Sequence, residues 1–485
     1  MTSNDKPILL LAETGFIIRN LLLGYFAGEV SRCRKLLVAV QQPNDPELLK
    51  LIEGKNIELI DFPFEPYYKE QTNLQRLLSW DNVIYNAKLV AKDNNSLRLQ
   101  TRLFEGASAT GKFARVNNFF QACGKATRAI GLANAIEDIY LEKYIGKKPV
   151  VNEWEGLLKK YDPAVVFSSM LTHSVRYRSS TDLPIMVAAH RLGIKTCTLV
   201  QSWDNLSSKT CVLPQWLDRY YTWSDSMSAE LLKYNPRVNA GRVKVVGSPQ
   251  YDFHLDESLI QPRTDYLSNL GLDSARPYIL IGTGTARWMP DEMEKMINLC
   301  LALHRQMPEV QCVIRLHPKD PGERWQPYRQ TMKENGIALQ YTSPKTHMDR
   351  GGFVPPKDFY RDQVNVIYHS EVVINSSSSI TVDAAILQRP VICIAYDLYD
   401  DELFPEGRSL TYSQSAHYSK LTATGGVKVV YSETDCVNAI EAYLKDPQMH
   451  KEERKKIVDT VAADVSKKAG ITLAHEVLQL ADIQS

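Results

Sequence analysis

Short apolar runs, rich in β-branched residues and bounded by turn residues, alternate along this chain with helical stretches. An unbroken apolar run is the pattern of a strand buried on both faces, and strand–helix–strand alternation joins such strands in parallel. In the first half the runs predict strands over residues 8–12, 35–40, 57–60, 164–167, 195–199, 219–222 and 243–246. After a looser segment at 256–276 the rhythm restarts, with strands over 278–281, 310–316, 337–341, 372–374, 391–395 and 427–430. Helices are expected between them, among them 19–29, 291–306, 325–335, 365–369, 380–387 and 433–445, with a last long one over 450–480. The fold class is therefore α/β, with two Rossmann-like doubly wound parallel-sheet domains facing a cleft. At 485 residues the chain also exceeds what one core usually holds, about 250–300 residues.

The pattern places an N-terminal domain at 1–255, a second domain at 256–455, and a C-terminal helix at 456–485 that packs back towards the first. A helical insertion at about 73–144 exceeds a minimal Rossmann unit. Between Lys88 and Arg128 it carries Lys88, Lys92, Arg98, Arg102, Lys112, Arg115, Lys125 and Arg128 against only Asp93 and Glu105, with Phe104, Phe113, Phe119 and Phe120 interleaved. Such a segment is either a dock for anionic lipid or an anionic acceptor, or a solvated helical face. Over the whole chain 57 basic residues meet 56 acidic ones, and this near-neutrality argues against a dedicated nucleic-acid binder. No run approaches the ~18–20 uncharged apolar residues of a membrane helix, and the N-terminus reads as no signal peptide. The eight cysteines are scattered without metal spacing, as expected for reduced thiols in a cytoplasmic protein.

Several strand ends carry candidate chemistry. Gly282, Thr283, Gly284 and Thr285 follow a strand and precede a helix that Pro290 and Asp291 start; they form either an anion cradle, with Arg287 adding charge, or a tight turn. Arg315, Leu316, His317 and Pro318 end the next strand, so His317 either donates to a diphosphate or caps backbone carbonyls. Asn375 leads into Ser376, Ser377, Ser378 and Ser379, then a helix with Thr381 and Asp383; one serine is enough for a cap, and four suggest a metal-free phosphate site. In the first half, Gln201, Trp203, Asp204 and Asn205 follow a strand, and Asp204 is either a general base or part of a turn. Gly15 and Arg19 open the first helix, as a cleft anion contact or a plain helix start. The segment Gly106 to Lys112 spells G-x-x-x-x-G-K, but Phe113 stands where a P-loop needs a magnesium-binding hydroxyl, and no buried strand feeds it.

Taken in order, these motifs resemble the GT-B glycosyltransferases, and within them the bacterial branch of CDP-glycerol glycerophosphotransferases and related surface-polysaccharide transferases. The resemblance covers roughly residues 195–400: Gln201 to Lys209, Val246 to Asp252, Arg315 to Pro318, Asn375 to Asp383, and Arg389 to Asp397. It departs where that branch carries a catalytic histidine and this chain has Asp204, and where an arginine is replaced by Gln250. The resemblance implies a metal-independent, inverting glycosyltransferase without cofactor, moving a sugar from a nucleotide-sugar donor to a saccharide or lipid-linked acceptor. Asp204 and His317 would be catalytic, the first domain would bind acceptor, and the second would bind donor. The enzyme would be cytoplasmic, in contact with the anionic inner membrane through the basic insertion. The alternatives are a polyol-phosphate transferase, a scaffold subunit, or a UDP-sugar 2-epimerase, which needs several acids and a histidine around one sugar ring.

Overall fold

The computed structural model describes residues 6–61, 132–169, 171–173, 182–208, 210–211, 213–284, 288–318, 320, 322–341, 346–348 and 352–483, with isolated positions between 84 and 126. Apart from those positions, the basic stretch between Lys88 and Arg128 lies outside the described residues, so the expected membrane or acceptor dock falls there as well. The end of the insertion is helical, over Ala133–Ile139 and a π-helical turn at Tyr140–Tyr144. The chain forms two compact units. The first comprises Met1–Pro249, Thr346–Val354 and Lys467–Ser485, and the second Gln250–Lys345 and Pro355–Ser466.

In the first unit seven strands run in parallel: β1 (Ile8–Leu11), β2 (Leu36–Val40), β3 (Ile57–Asp61), β4 (Val165–Ser168), β5 (Lys195–Leu199), β6 (Arg219–Thr222) and β7 (Val243–Val245). Their order is β3-β2-β1-β4-β5-β6-β7. The second unit repeats the plan with β8 (Tyr278–Gly282), β9 (Gln311–Arg315), β10 (Ile337–Gln340), β11 (Val372–Asn375), β12 (Val391–Ile394) and β13 (Val427–Val430). Here the order is β10-β9-β8-β11-β12-β13, again all parallel. Each order reverses direction beside its first strand, and such a switch point opens a crevice at the carboxyl ends of the strands.

The apolar runs are continuous because both faces of each sheet are covered. In the second unit Ile279, Ile281, Ile314, Ile374, Ile392 and Ile394 lie two residues apart on their strands and share one face. They pack with Met296, Leu299, Cys300 and Leu303 of the helix Glu292–Gln306 and with Cys436 and Ile440 of Glu433–Lys445. The alternating residues Leu280, Val313, Val373 and Cys393 are equally buried on the opposite face. Each such side chain contributes about 1.5–3 kcal/mol by leaving water.

Expected and observed strands agree to within a residue at each end, whereas the helices differ more. The helix expected at 19–29 is split, a π-helical turn at Ile18–Leu22 preceding Tyr25–Cys33. Gly24 stands at the break because a Cβ there would lie 2.2 Å from the Asn20 carbonyl oxygen. The single helix expected at 450–480 is two, Lys451–Val461 and Ala469–Asp482, and Ala463 takes a left-handed φ of 57° between them. The second of these belongs to the first unit and packs on Tyr25–Cys33, with Arg34 bonded to Asp482 and His475 to Glu29. Among the described residues no helix is long and apolar enough to cross a membrane.

Candidate functional site

In the second unit the register brings the ends of the central strands level. Gly282 pairs with Arg315, Arg315 with Gln340, Ile281 with Ile374, and Asn375 with Cys393. Gly282 fits closely: a Cβ there would come within 3.2 Å of both the Cδ1 and the Cγ2 of Ile380, which would have to give by a few tenths of an ångström. That approach sets the turn after β8 against the helix Ile380–Ile386, which follows the serine loop. Thr283 takes the Arg315 carbonyl with its N–H (3.0 Å), and its hydroxyl accepts the His317 N–H (3.1 Å). The loops after β8 and β9 are thereby stitched together, with His317 between them. Thr285 and Arg287 lie outside the described residues.

The serine loop is organised from beneath by Asn375, which is wholly buried. Its Oδ1 accepts the Ser378 N–H (2.8 Å), and its amide donates to Thr381 Oγ1 (3.1 Å), which also meets the Tyr418 hydroxyl (2.8 Å). No serine side chain caps the helix. Ser376, Ser377 and Ser378 are half-buried and Ser379 is exposed. Ser377 Oγ lies 3.5 Å from Cys393 Sγ, whose thiol burial pushes up; the Ser376, Ser378 and Ser379 hydroxyls have no hydrogen-bond partner among the described residues. Ser377 also adopts a left-handed φ of 57°, an uncommon conformation for a residue with a Cβ and a common sign of a functional turn.

Two of the anticipated donor residues have other partners. Arg315 gives its guanidinium to Gln340 Oε1 (2.6 Å) and Asp362 Oδ2 (2.8 Å), in a network closed by Gln340, Tyr266 and Asp362. Asp383 is buried against His254 Nε2 (2.7 Å) and Gln363 (2.6 Å).

A group not anticipated from the sequence lies behind the Gly284 turn. Glu292 is wholly buried and accepts the Gly284 N–H (2.7 Å) and a guanidinium N–H of Arg324 (3.0 Å). Burial pushes its carboxyl up to about 7, against the pull of the Gly284 N–H and Arg324. Arg324 also donates to the Gly284 carbonyl (2.8 Å) and to Asp320 (2.7 Å). Burial pushes Asp320 up as well, but the donors Gly322, Arg324 and Trp325 together outweigh it and hold that carboxyl below its ordinary range. Glu292 carries no motif, and its partner lies 32 residues away.

In the first unit Gln201 donates to Thr14 Oγ1 (3.2 Å), joining the loops after β5 and β1 beside the buried Gly15. Arg19 is buried, bonded to the Asn20 side chain (2.7 Å) and stacked over Phe16. Asp204 accepts the Ser202 hydroxyl at one carboxylate oxygen and that of Ser208 (2.7 Å) at the other. Trp203 is buried beside it, and the wholly buried Asn205 carboxamide finds no partner among the described residues. Among those residues no group of three or more His, Cys, Asp or Glu could hold a metal ion.

Two doubly wound parallel-sheet units, one with hydroxyls, N–H groups and a histidine at its switch point, define a GT-B-like architecture. No protein-family model matches the sequence, and no curated protein does. Solved structures match it over nearly its whole length. UDP-GlcNAc 2-epimerase from Neisseria meningitidis, bound to UDP-GlcNAc, is 13% identical with a TM-score of 0.50, covering 98% of this chain and 100% of its own. S. aureus MnaA with UDP is 12% identical at 0.50, covering 95% and 94%. A Listeria monocytogenes protein assigned as a UDP-N-acetylglucosamine 2-epimerase is 13% identical at 0.51, covering 98% and 95%. At such identities the likeness fixes the architecture.

These matches correct the expectation drawn from the motifs. The likeness is to epimerase structures, and membership of the CDP-glycerol and surface-polysaccharide transferase branch is withdrawn. With it go the glycosyltransferase activity and the separate saccharide or lipid-linked acceptor. The physical reason is that the shared motifs stand at strand ends, where any doubly wound nucleotide domain places small and hydroxyl-bearing residues. Asp204, cast as base towards an acceptor hydroxyl, has both carboxylate oxygens engaged within its own turn.

Proposed function

We propose that the chain is an isomerase of a UDP-linked sugar, inverting carbon 2 of the sugar while the nucleotide diphosphate is held in the second unit. The observation that carries this is the meeting of Thr283, His317 and the serine loop at neighbouring strand ends, with three serine hydroxyls unengaged. The likeness to UDP-GlcNAc 2-epimerases over the whole chain supports the choice of substrate.

The chemistry explains why a diphosphate cradle suits such a reaction. Carbon 2 has no carbonyl beside it to acidify its hydrogen. A base therefore removes that proton as the C1–O bond to the diphosphate breaks and a C1–C2 double bond forms. Returning the diphosphate oxygen to C1 and a proton to the other face of C2 restores all bonds with C2 inverted. Charge develops on the leaving diphosphate, and fixed hydroxyl and N–H donors stabilise it without reorganising. We propose that these donors act without a metal, so that activity persists in EDTA.

The test is to incubate the full chain with UDP-GlcNAc in heavy water, with no acceptor added. A second UDP-N-acetylhexosamine, epimeric and deuterated at C2, is expected by NMR. Absence of both epimer and C2 exchange, in a protein that binds UDP, would sink the reading.

A further inference from the structure

We infer that Glu292 and Arg324 form a positioning clamp that locks the loops after β8 and β9 together, so that a nucleotide diphosphate meets donors already in place. The inference rests on the reading of these loops as a diphosphate site.

The connections close a circuit through both loops. Glu292, at the start of the helix Glu292–Gln306, holds the Gly284 N–H, and Arg324 holds the carbonyl of the same residue. Arg324 also bonds Glu292 and Asp320, whose N–H returns to the His317 carbonyl (2.8 Å). The His317 N–H completes the loop on Thr283. The Gly284 carbonyl is therefore held by Arg324 directly, its N–H through Glu292, and the His317 carbonyl through Asp320. Asp320 is itself fixed by the Gly322 N–H (2.9 Å) and the Trp325 indole (3.1 Å).

Stability does not account for such a device. Burying a carboxylate with a guanidinium costs about as much desolvation as the attraction returns, and well-packed apolar side chains commonly do as well. What it supplies is geometry. A cradle within about 0.5 Å of its working position needs side chains that are themselves locked. Lys295, a buried residue of the same helix, bonds elsewhere, to the Tyr396 carbonyl, Asp291, Asp397 and Ser409. Arg324, by contrast, reaches both the Gly284 carbonyl after β8 and Asp320 after β9 with one side chain.

The experiment measures affinity for UDP and for uridine by calorimetry on the full chain, comparing wild type with Arg324→Met, Arg324→Lys and Glu292→Gln. A clamp acting on the diphosphate makes Arg324→Met weaken UDP at least tenfold and leave uridine within twofold. Arg324→Lys restores part of the loss, because an ammonium reaches Glu292 or Asp320 but cannot span both loops. Near-UV circular dichroism confirms the fold. If Arg324→Met does not fold, Glu292→Gln carries the same comparison, since it keeps an acceptor for Gly284 and removes the charge facing Arg324. Equal losses for UDP and uridine, or unchanged UDP affinity in a folded variant, overturn the clamp. A wild type that prefers UDP to uridine by nothing overturns the diphosphate reading, and the clamp with it, before any variant is made.

Discussion

Both units wind their strands in the same order around a reversal, yet they spend the polar groups at their strand ends differently. In the first unit Gln201 bonds Thr14, Arg19 bonds Asn20, and the Asp204 carboxylate is held between Ser202 and Ser208. In the second, ordering is delegated to residues beneath and behind the loops, Asn375 under the serines and Glu292 with Arg324 behind Gly284. That division leaves serine hydroxyls at the surface with capacity to spare. One architecture therefore supports two kinds of strand end, and the chemistry follows the unspent donors more than the fold.

The largest expected effect breaks this contrast directly. Replacing Ser376, Ser378 and Ser379 together by alanine removes up to three hydroxyl contacts to a charged ligand, each about 1.5–3 kcal/mol. Calorimetry should show UDP affinity falling at least 100-fold, while Asp204→Asn in the other unit leaves it within about threefold. A result the other way round would move the nucleotide site to the first unit. Next in size, Ile374→Ala, at a wholly buried site in the second unit, should cost about 2–5 kcal/mol, as should Leu10→Ala in the first. Denaturant unfolding followed by hydrogen exchange shows whether each lesion weakens its own unit alone, and uniform loss across both would mean that they unfold as one.

Glu292 gives the pH signature of the second unit. A carboxyl raised from 4.5 to about 7 favours the fold while it is protonated. Its contribution is fully present below the unfolded value and is lost as pH rises through about 7, roughly 3 kcal/mol in all. Glu292→Gln, which has no proton to lose, should therefore flatten the decline in stability between pH 5 and pH 8. Denaturant midpoints at the two values decide it, and a variant that declines as steeply as wild type would place the titrating group elsewhere.

How much of this was legible beforehand depends on the range of the interaction. A strand such as Tyr278–Gly282 shows in the sequence because its burial on both faces forces a local apolar run. The serine loop and His317 were visible for a similar local reason, since each directly follows a strand. The Glu292–Arg324 pair was not, because an ion pair across 32 residues leaves no periodic trace. The break at Ala463 was hidden as well, because a left-handed residue without glycine has no composition signal. The transferase reading failed for a related reason: its motifs record where a parallel sheet presents loops, and epimerase structures share that sheet.

The smallest effect concerns one backbone angle, taken two residues after a strand in each unit. After β7 the first unit places Gly247 at a φ of 83°, and after β11 the second places Ser377 at 57°. A Cβ at Gly247 would meet the Ala469 Cβ at 2.9 Å, so Gly247→Ser adds a clash to the left-handed cost of about 1–2 kcal/mol. Ser377→Gly runs in the opposite direction. It removes that cost but adds the extra chain entropy of glycine, roughly 0.5–1 kcal/mol, leaving a net gain of about 0.5 kcal/mol. If the strained turn is kept because it presents the loop to a ligand, the more stable Ser377→Gly protein should bind UDP a few-fold more weakly. Thermal unfolding and calorimetry on the same preparation settle the pairing. A gain in both stability and affinity would show that the conformation serves packing against Cys393 and not the ligand.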